Sequence, residues 1–172
     1  MSDRAAGVAA QSFKHGIPIY DKKTGLTKVF ITNKQGQKVK GLIPLLKPLM
    51  DLEKNVSAEE RGTIFRAFQT YAAARRSVGL QKRNKKYQER IFTDEDIKKA
   101  LRYPEVFPEF EQVFDDYQKY NQGTVNFLID TGVITRQMGQ AWNENADYIP
   151  FYRQFEGDQT SGPQILSGLG GQ

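Results

Sequence analysis

The sequence predicts a mainly helical α+β domain, with about four or five helices behind a small N-terminal β-ribbon. Three observations predict it. Residues 17–40 place the turn signals Thr24-Gly25 and Gln35-Gly36 around "LTKVFIT", a run rich in β-branched and aromatic residues. From residue 57 onward, apolar residues recur at intervals of three and four. Ser57 with Glu60 and Thr93 with Asp96 have the spacing of helix-capping pairs. The expected organisation is a basic N-terminal arm and ribbon over residues 1–40, a helical domain over 41–156, and a flexible Gly/Ser-rich tail or linker over 157–172.

Alternation across Leu26, Lys28, Phe30 and Thr32 is poor. Two strands alone are marginal in water, so the ribbon must lean on the helices or on a partner chain. "GLIPLLKPLMDL" (41–52) is dense in leucine but carries Pro44 and Pro48. Proline is tolerated in a first helical turn and disrupts an interior. A short kinked helix starting near Pro44 is expected, with Leu45, Leu46, Leu49 and Met50 inward. The Ser57/Glu60 box then leads into Ile64, Phe65, Phe68, Tyr71 and Ala72 at helical spacing, with Gly79 as the expected stop. "LQKRNKKYQER" has no apolar stripe and reads as a loop or a solvated helical extension.

Thr93 and Asp96 cap "IKKAL", and Pro108 opens the longest helix. One face of that helix carries Phe110, Val113, Phe114, Tyr117, Asn121, Val125 and Leu128, and Gly132 ends it. Thr135 caps a last short helix with Met138, Ala141 and Trp142 on one side. Pro150 forces an extended turn, because the residue before proline avoids helix. The closing "GDQTSGPQILSGLGGQ" has almost nothing to bury. It reads as a linker or tail, with the natural chain expected to continue past it.

Composition narrows the chemistry. The 172 residues suit one domain with a modest core. With no cysteine and one histidine, His15, there is no disulfide framework, no thiolate nucleophile and no multi-His metal site. No spaced Asp/Asn/Gly loop of the calcium kind is present. No apolar run approaches the ~20 residues needed to span a bilayer, and "MSDRAAGVAA" lacks a signal-peptide core. A soluble protein made in a cytoplasm is expected, with no cofactor and no metal.

Catalytic arrangements are equally thin. "GLGG" near the end is not followed by Lys-Ser/Thr and is not a phosphate loop. Glu109, Glu111, Asp115 and Asp116 crowd the start of the long helix, where the helix dipole favours acids. His15 sits in "FKHGIP", a context for a solvated or capping imidazole rather than a general base. The chain reads as non-enzymatic.

Charge is the informative feature. Residues 1–92 carry 19 Lys+Arg against 7 Asp+Glu, a net +12, while residues 93–172 carry 6 against 13, a net −7. The front half attracts phosphate or an acidic surface, or the two halves attract each other across a fold or subunit contact. The densest run is Arg75, Arg76, Lys82, Arg83, Lys85, Lys86 and Arg90, interrupted by Tyr87, which could stack on a base. Lys22, Lys23, Lys28, Lys34, Lys38 and Lys40 line the ribbon. Clustering of this kind suits sequence-nonspecific nucleic-acid contact, although charge runs are usually solvated faces and no recognition-helix or RNA motif accompanies this one.

The other dense stretch is "NADYIPFYRQFEG" (145–157), next to the single tryptophan, Trp142. Its aromatics are expected to pack back on the Phe110/Phe114/Tyr117 face and close the core. Arg153 would pair with helix-end carbonyls or a carboxylate. An aromatic peptide-binding groove is the alternative.

Taken in order, "FQTYAAARR", "IFTDEDI", "YPEVFPEFEQVFDDYQKYNQGTVNFLIDTGVI" and "AWNENADYIPFYR" resemble a segment of large tailed-phage proteins, the polyvalent and internal (ejection) virion proteins. The positions that carry the resemblance are Tyr71, Ala74 and Arg76; Phe107 to Phe110; Asp130 to Ile134; and Trp142 with Tyr148, Pro150, Phe151, Tyr152 and Arg153. It covers roughly residues 10 to 155 by eye, and its most specific part is the hexapeptide ending at Arg153. Such host proteins are far longer than this chain. The resemblance implies a non-enzymatic structural and interaction module in the virion interior, delivered to the host with the genome. Its implied partners are other virion proteins or the rest of a longer chain, a second copy of itself, and DNA through the basic half. The alternative is a stand-alone, sequence-nonspecific DNA-binding protein acting in the infected cell.

Overall fold

The computed structural model of the protein describes residues 3–86 and 92–144. Among them it has six α-helices and one two-stranded antiparallel ribbon, the α+β and mostly helical class expected. The order is α1 (Asp3–Lys14), β1 (Ile17–Asp21), β2 (Leu26–Phe30), α2 (Leu42–Glu53), α3 (Thr63–Arg83), α4 (Asp94–Leu101), α5 (Glu109–Asp130) and α6 (Arg136–Glu144). Two 3₁₀ turns, Ala58–Glu60 and Tyr103–Glu105, precede α3 and α5. Two compact units divide the chain. Among the described residues, one comprises residues 3–48 and 113–144, and the other residues 49–86 and 92–112.

In the first unit the ribbon pairs Ile17 with Phe30, Ile19 with Lys28 and Asp21 with Leu26. Its turn closes on Asp21, whose carboxylate accepts from the Lys23 backbone N–H and the Thr24 hydroxyl, each at 2.9 Å. The ribbon leans on helices, as a two-strand unit must. α1 packs against both strands, and Ile17, 2% exposed, sits on Gly123 of α5. A Cβ at position 123 would lie 2.7 Å from Ile17 Cδ1 and 2.9 Å from its Cγ2, so only glycine permits this approach.

Two polar links tie the front segment to α5. Ser12 Oγ and Tyr120 Oη share a buried hydrogen bond of 2.6 Å. Lys40 Nζ donates to Asp116 Oδ2 at 2.8 Å, and the Asp116 side chain is 9% exposed. Asp116 is therefore a buried, paired carboxylate two turns into α5 rather than one of the dipole-favoured acids at its start. α1 occupies part of what sequence alone gave as a basic N-terminal arm, without a helix. Its alanines favour helix, but its apolar face is mostly alanine, with Val8 and Phe13 its large apolar residues, which makes a weak signal.

α5 ends as expected. Gly132 adopts φ 78°, its N–H bonds Ile129 O, and the Val133 N–H bonds Leu128 O, the paired bonds of a Schellman motif. The Thr135 hydroxyl caps α6 by accepting from the Met138 N–H at 3.1 Å. The facing of α6 differs from expectation. Gly139 is its buried residue, against Ile129, while Met138 and Trp142 are 47% and 46% exposed. A backbone free of side chain seats closer on α5 than the apolar stripe could.

The second unit is built on α3. Five aromatic rings form its centre: Phe110 lies 5.5 Å edge-on from Phe68, 5.1 Å stacked from Phe107, 5.9 Å from Tyr71 and 6.4 Å from Tyr103. Beside them, Ala73 and Ala74 of α3 meet Ile97 and Ala100 of α4 and Phe92, small residues that let the two helices close up. Elsewhere Leu45 and Leu49 of α2 are fully buried as expected, whereas Met50 is 38% exposed.

Capping divides into one success and one correction. Thr93 and Asp96 form the expected reciprocal box at the start of α4. Ser57 makes no side-chain cap and leads only the first 3₁₀ turn. The Glu53 carboxylate caps α3 instead, accepting from the Gly62 and Phe65 N–H groups at 2.9 Å each. Gly79 does not stop α3, which runs on to Arg83, where the Asn84 N–H still reaches Leu80 O at 2.8 Å.

Glu53→Ala is expected to lower stability by about 1–2 kcal/mol, while Ser57→Ala stays within about 0.5 kcal/mol of wild type; urea unfolding of both variants checks the assignment. The capping box adds a pH signature. The Asp96 carboxyl lies below its ordinary 3.8 because it accepts from the Thr93 side chain and backbone N–H. Its contribution is present above the unfolded value and is lost as pH falls through the lower folded value. Asp96→Asn should flatten that part of the acid-unfolding profile, below about pH 4.

Candidate nucleic-acid interface

The basic run is placed by α3 continuing through Gly79. Residues 75, 76, 79, 82 and 83 recur at three, four and seven, so Arg75, Arg76, Lys82 and Arg83 share one helical face around a glycine. Lys85 and Lys86 follow in the turn that leaves the helix, where the Asn84 side chain accepts from the Lys86 N–H at 3.0 Å. Lys82, Arg83, Lys85 and Lys86 are all exposed. Among the described residues, no carboxylate makes an ion pair with Lys82, Lys85 or Lys86.

The structure separates this set from the other candidates. Arg75 is occupied by its own helix: its Nη1 donates to the Tyr71 hydroxyl at 3.2 Å and its guanidinium lies 5.9 Å from the centroid of that ring. Arg76 is half-buried. Tyr87 and Arg90 lie outside the described residues. Of the ribbon lysines, Lys34 is bonded to Asp130 and Lys40 to Asp116, whereas Lys22, Lys23, Lys28 and Lys38 are exposed. Basic residues at a helix C-terminus also complement the helix dipole, which is the structural use of Lys82 and Arg83.

The clear pKa displacements belong to turns, caps and surface pairs. Asp21 is lowered by the Lys23 N–H and the Thr24 hydroxyl. Arg102 and Glu105 form a bidentate pair, Nε to Oε1 and Nη2 to Oε2 at 3.0 Å each, which lowers the carboxyl and raises the guanidinium. His15 is exposed. Among the described residues, no three His, Cys, Asp or Glu side chains converge on a metal position, and no helix is long and apolar enough to cross a membrane.

Of the aromatic signature, Tyr148, Pro150, Phe151, Tyr152 and Arg153 lie outside the described residues. Trp142 is described, and at 46% exposure its ring is not a core plug. Trp142→Ala is expected to cost about 1 kcal/mol or less, as for an exposed position, against the roughly 3–5 kcal/mol of a buried aromatic; thermal and urea unfolding distinguish the two. Comparison of the chain with family models, with curated proteins and with solved structures finds no match.

Proposed function

We propose that the chain is a non-catalytic interaction module that grips the phosphate backbone of DNA without reading its sequence, through the C-terminal end of α3. The observation that carries this is the exposed quartet Lys82, Arg83, Lys85 and Lys86, presented at the end of one helix and the turn that follows it. Phosphate contact needs clustered, accessible cations and no particular base-reading element. The resemblance of residues 10 to 155 to tailed-phage internal proteins supplies the setting: a segment packaged with the genome and delivered to the host, alone or as part of a longer chain. No bond is made or broken in this role. Affinity comes from released counterions and is reduced by salt.

Replacing Lys82, Arg83, Lys85 and Lys86 together by glutamine should leave the fold intact, since all four are exposed. It should also reduce the slope of log affinity for duplex DNA against log salt by about 3–4. Equal slopes in the variant and the wild type would remove α3 from the interface, and a flat wild-type dependence would remove DNA binding altogether. Peptide mass spectrometry of purified particles tests the setting. Peptides of this chain in the virion support a packaged protein, and their absence from well-covered particles leaves a DNA-binding protein of the infected cell.

A further inference from the structure

A groove of about 340 Å³ runs along α5 and α6 within the first compact unit, within the size range of small-molecule sites. Gln37, Gln118, Asn121 and Gln122 line it with carboxamides, and Trp142 supplies the one aromatic ring. Its two charged groups, Asp115 and Lys119, are opposite in sign, so the groove offers no net attraction to a phosphate. We propose that it binds a neutral saccharide, with Trp142 as the stacking platform.

The chemistry of the lining selects this ligand class. A sugar hydroxyl is donor and acceptor at once, and a carboxamide presents both functions side by side. On α5, positions 115, 118, 121 and 122 lie within about 120° of one another around the helix and extend over about 10 Å. They make a ladder of polar groups suited to two or three linked rings. Trp142 is 46% exposed, which leaves ring surface for the apolar C–H face of a pyranose to meet. Asn143, also in the lining, is fixed by its Nδ2 bond to Asn126 Oδ1 at 3.3 Å, which orients one wall in advance. A peptide groove would need apolar pockets for alternate side chains, and a single nucleic-acid strand would need cations flanking the stacking ring.

Trp142 is the only tryptophan in the chain, so its emission, excited beyond the tyrosine absorption band, reports on this groove. The full chain would be titrated with chitotriose, with maltotriose and with an oligothymidylate, at low and at high salt. The expected result is a saturable change with at least one trisaccharide, with a midpoint of about 1 mM or tighter, unaltered by salt. Gln122→Ala, at an exposed helix position, should weaken that midpoint about fivefold through the loss of one hydrogen bond. The proposal is overturned by the absence of a saturable change with both trisaccharides, by a midpoint that Gln122→Ala leaves unmoved, or by a response confined to the oligothymidylate.

Discussion

The first compact unit depends on how closely β1 approaches α5. A two-stranded ribbon is marginal in water, and this one has few side chains to bury. Leu26, Phe30 and Ile31 are 51%, 42% and 65% exposed. What holds it is the contact of Ile17 with the bare backbone at Gly123, where an added Cβ would fall 2.7–3.2 Å from three Ile17 carbons. With β1 seated there, α1 can cover both strands and Ser12 can reach Tyr120. Lys34 and Lys40, downstream of the ribbon, then come within reach of Asp130 and Asp116. The order of dependence runs from an apolar contact to the ion pairs. An exposed pair is worth about 0–1 kcal/mol, and the buried Asp116 carboxylate can be paired only once the ribbon has brought Lys40 to it.

In the second unit the corresponding constraint is the start of α3. A helix N-terminus leaves orphan N–H groups, and here a carboxylate from the preceding helix takes two of them. That fixes where the helical phase of α3 begins. The phase then decides which residues of about its first four turns meet the aromatic cluster. Tyr71 and Lys82 lie about three turns apart on nearly the same face, so Tyr71 is buried and Lys82 exposed because α3 runs on past its last buried residue, Ser77.

Local devices were legible in the sequence and distant ones were not. Thr93 with Asp96, Thr135 with Met138, and Gly132 after Leu128 are all complete within a few residues, so their spacing announces them. Glu53 acts nine and twelve residues downstream, and Lys40 meets Asp116 across 76. No spacing rule reaches that far. Gly79 misled because glycine carries only about 1 kcal/mol of helix penalty, which the packed turns before it, up to Ser77, readily outweigh. Met138 and Trp142 misled for a different reason. Apolar periodicity identifies a face without saying what it meets, and on α6 the close seat went to Gly139 against Ile129. In the candidate interface the basic cluster was legible as composition. The removal of Arg75 by Tyr71 four residues earlier was readable as an i, i+4 pair on one helix.

The net charge of +5 says little about what the molecule attracts, because the two sequence halves carry +12 and −7. At physiological ionic strength the Debye length is about 8 Å, shorter than the ~12 Å that eight helical residues rise. A polyanion therefore responds to local clusters and not to the sum. By that measure the end of α3 and the groove beside Trp142 belong to different physical classes. The first is a concentration of like charges whose attraction fades with added salt. The second is a charge-balanced, carboxamide-lined hollow whose contacts are short-range hydrogen bonds and ring stacking, which salt scarcely touches. Ionic strength is therefore the variable that would tell contacts at the two places apart.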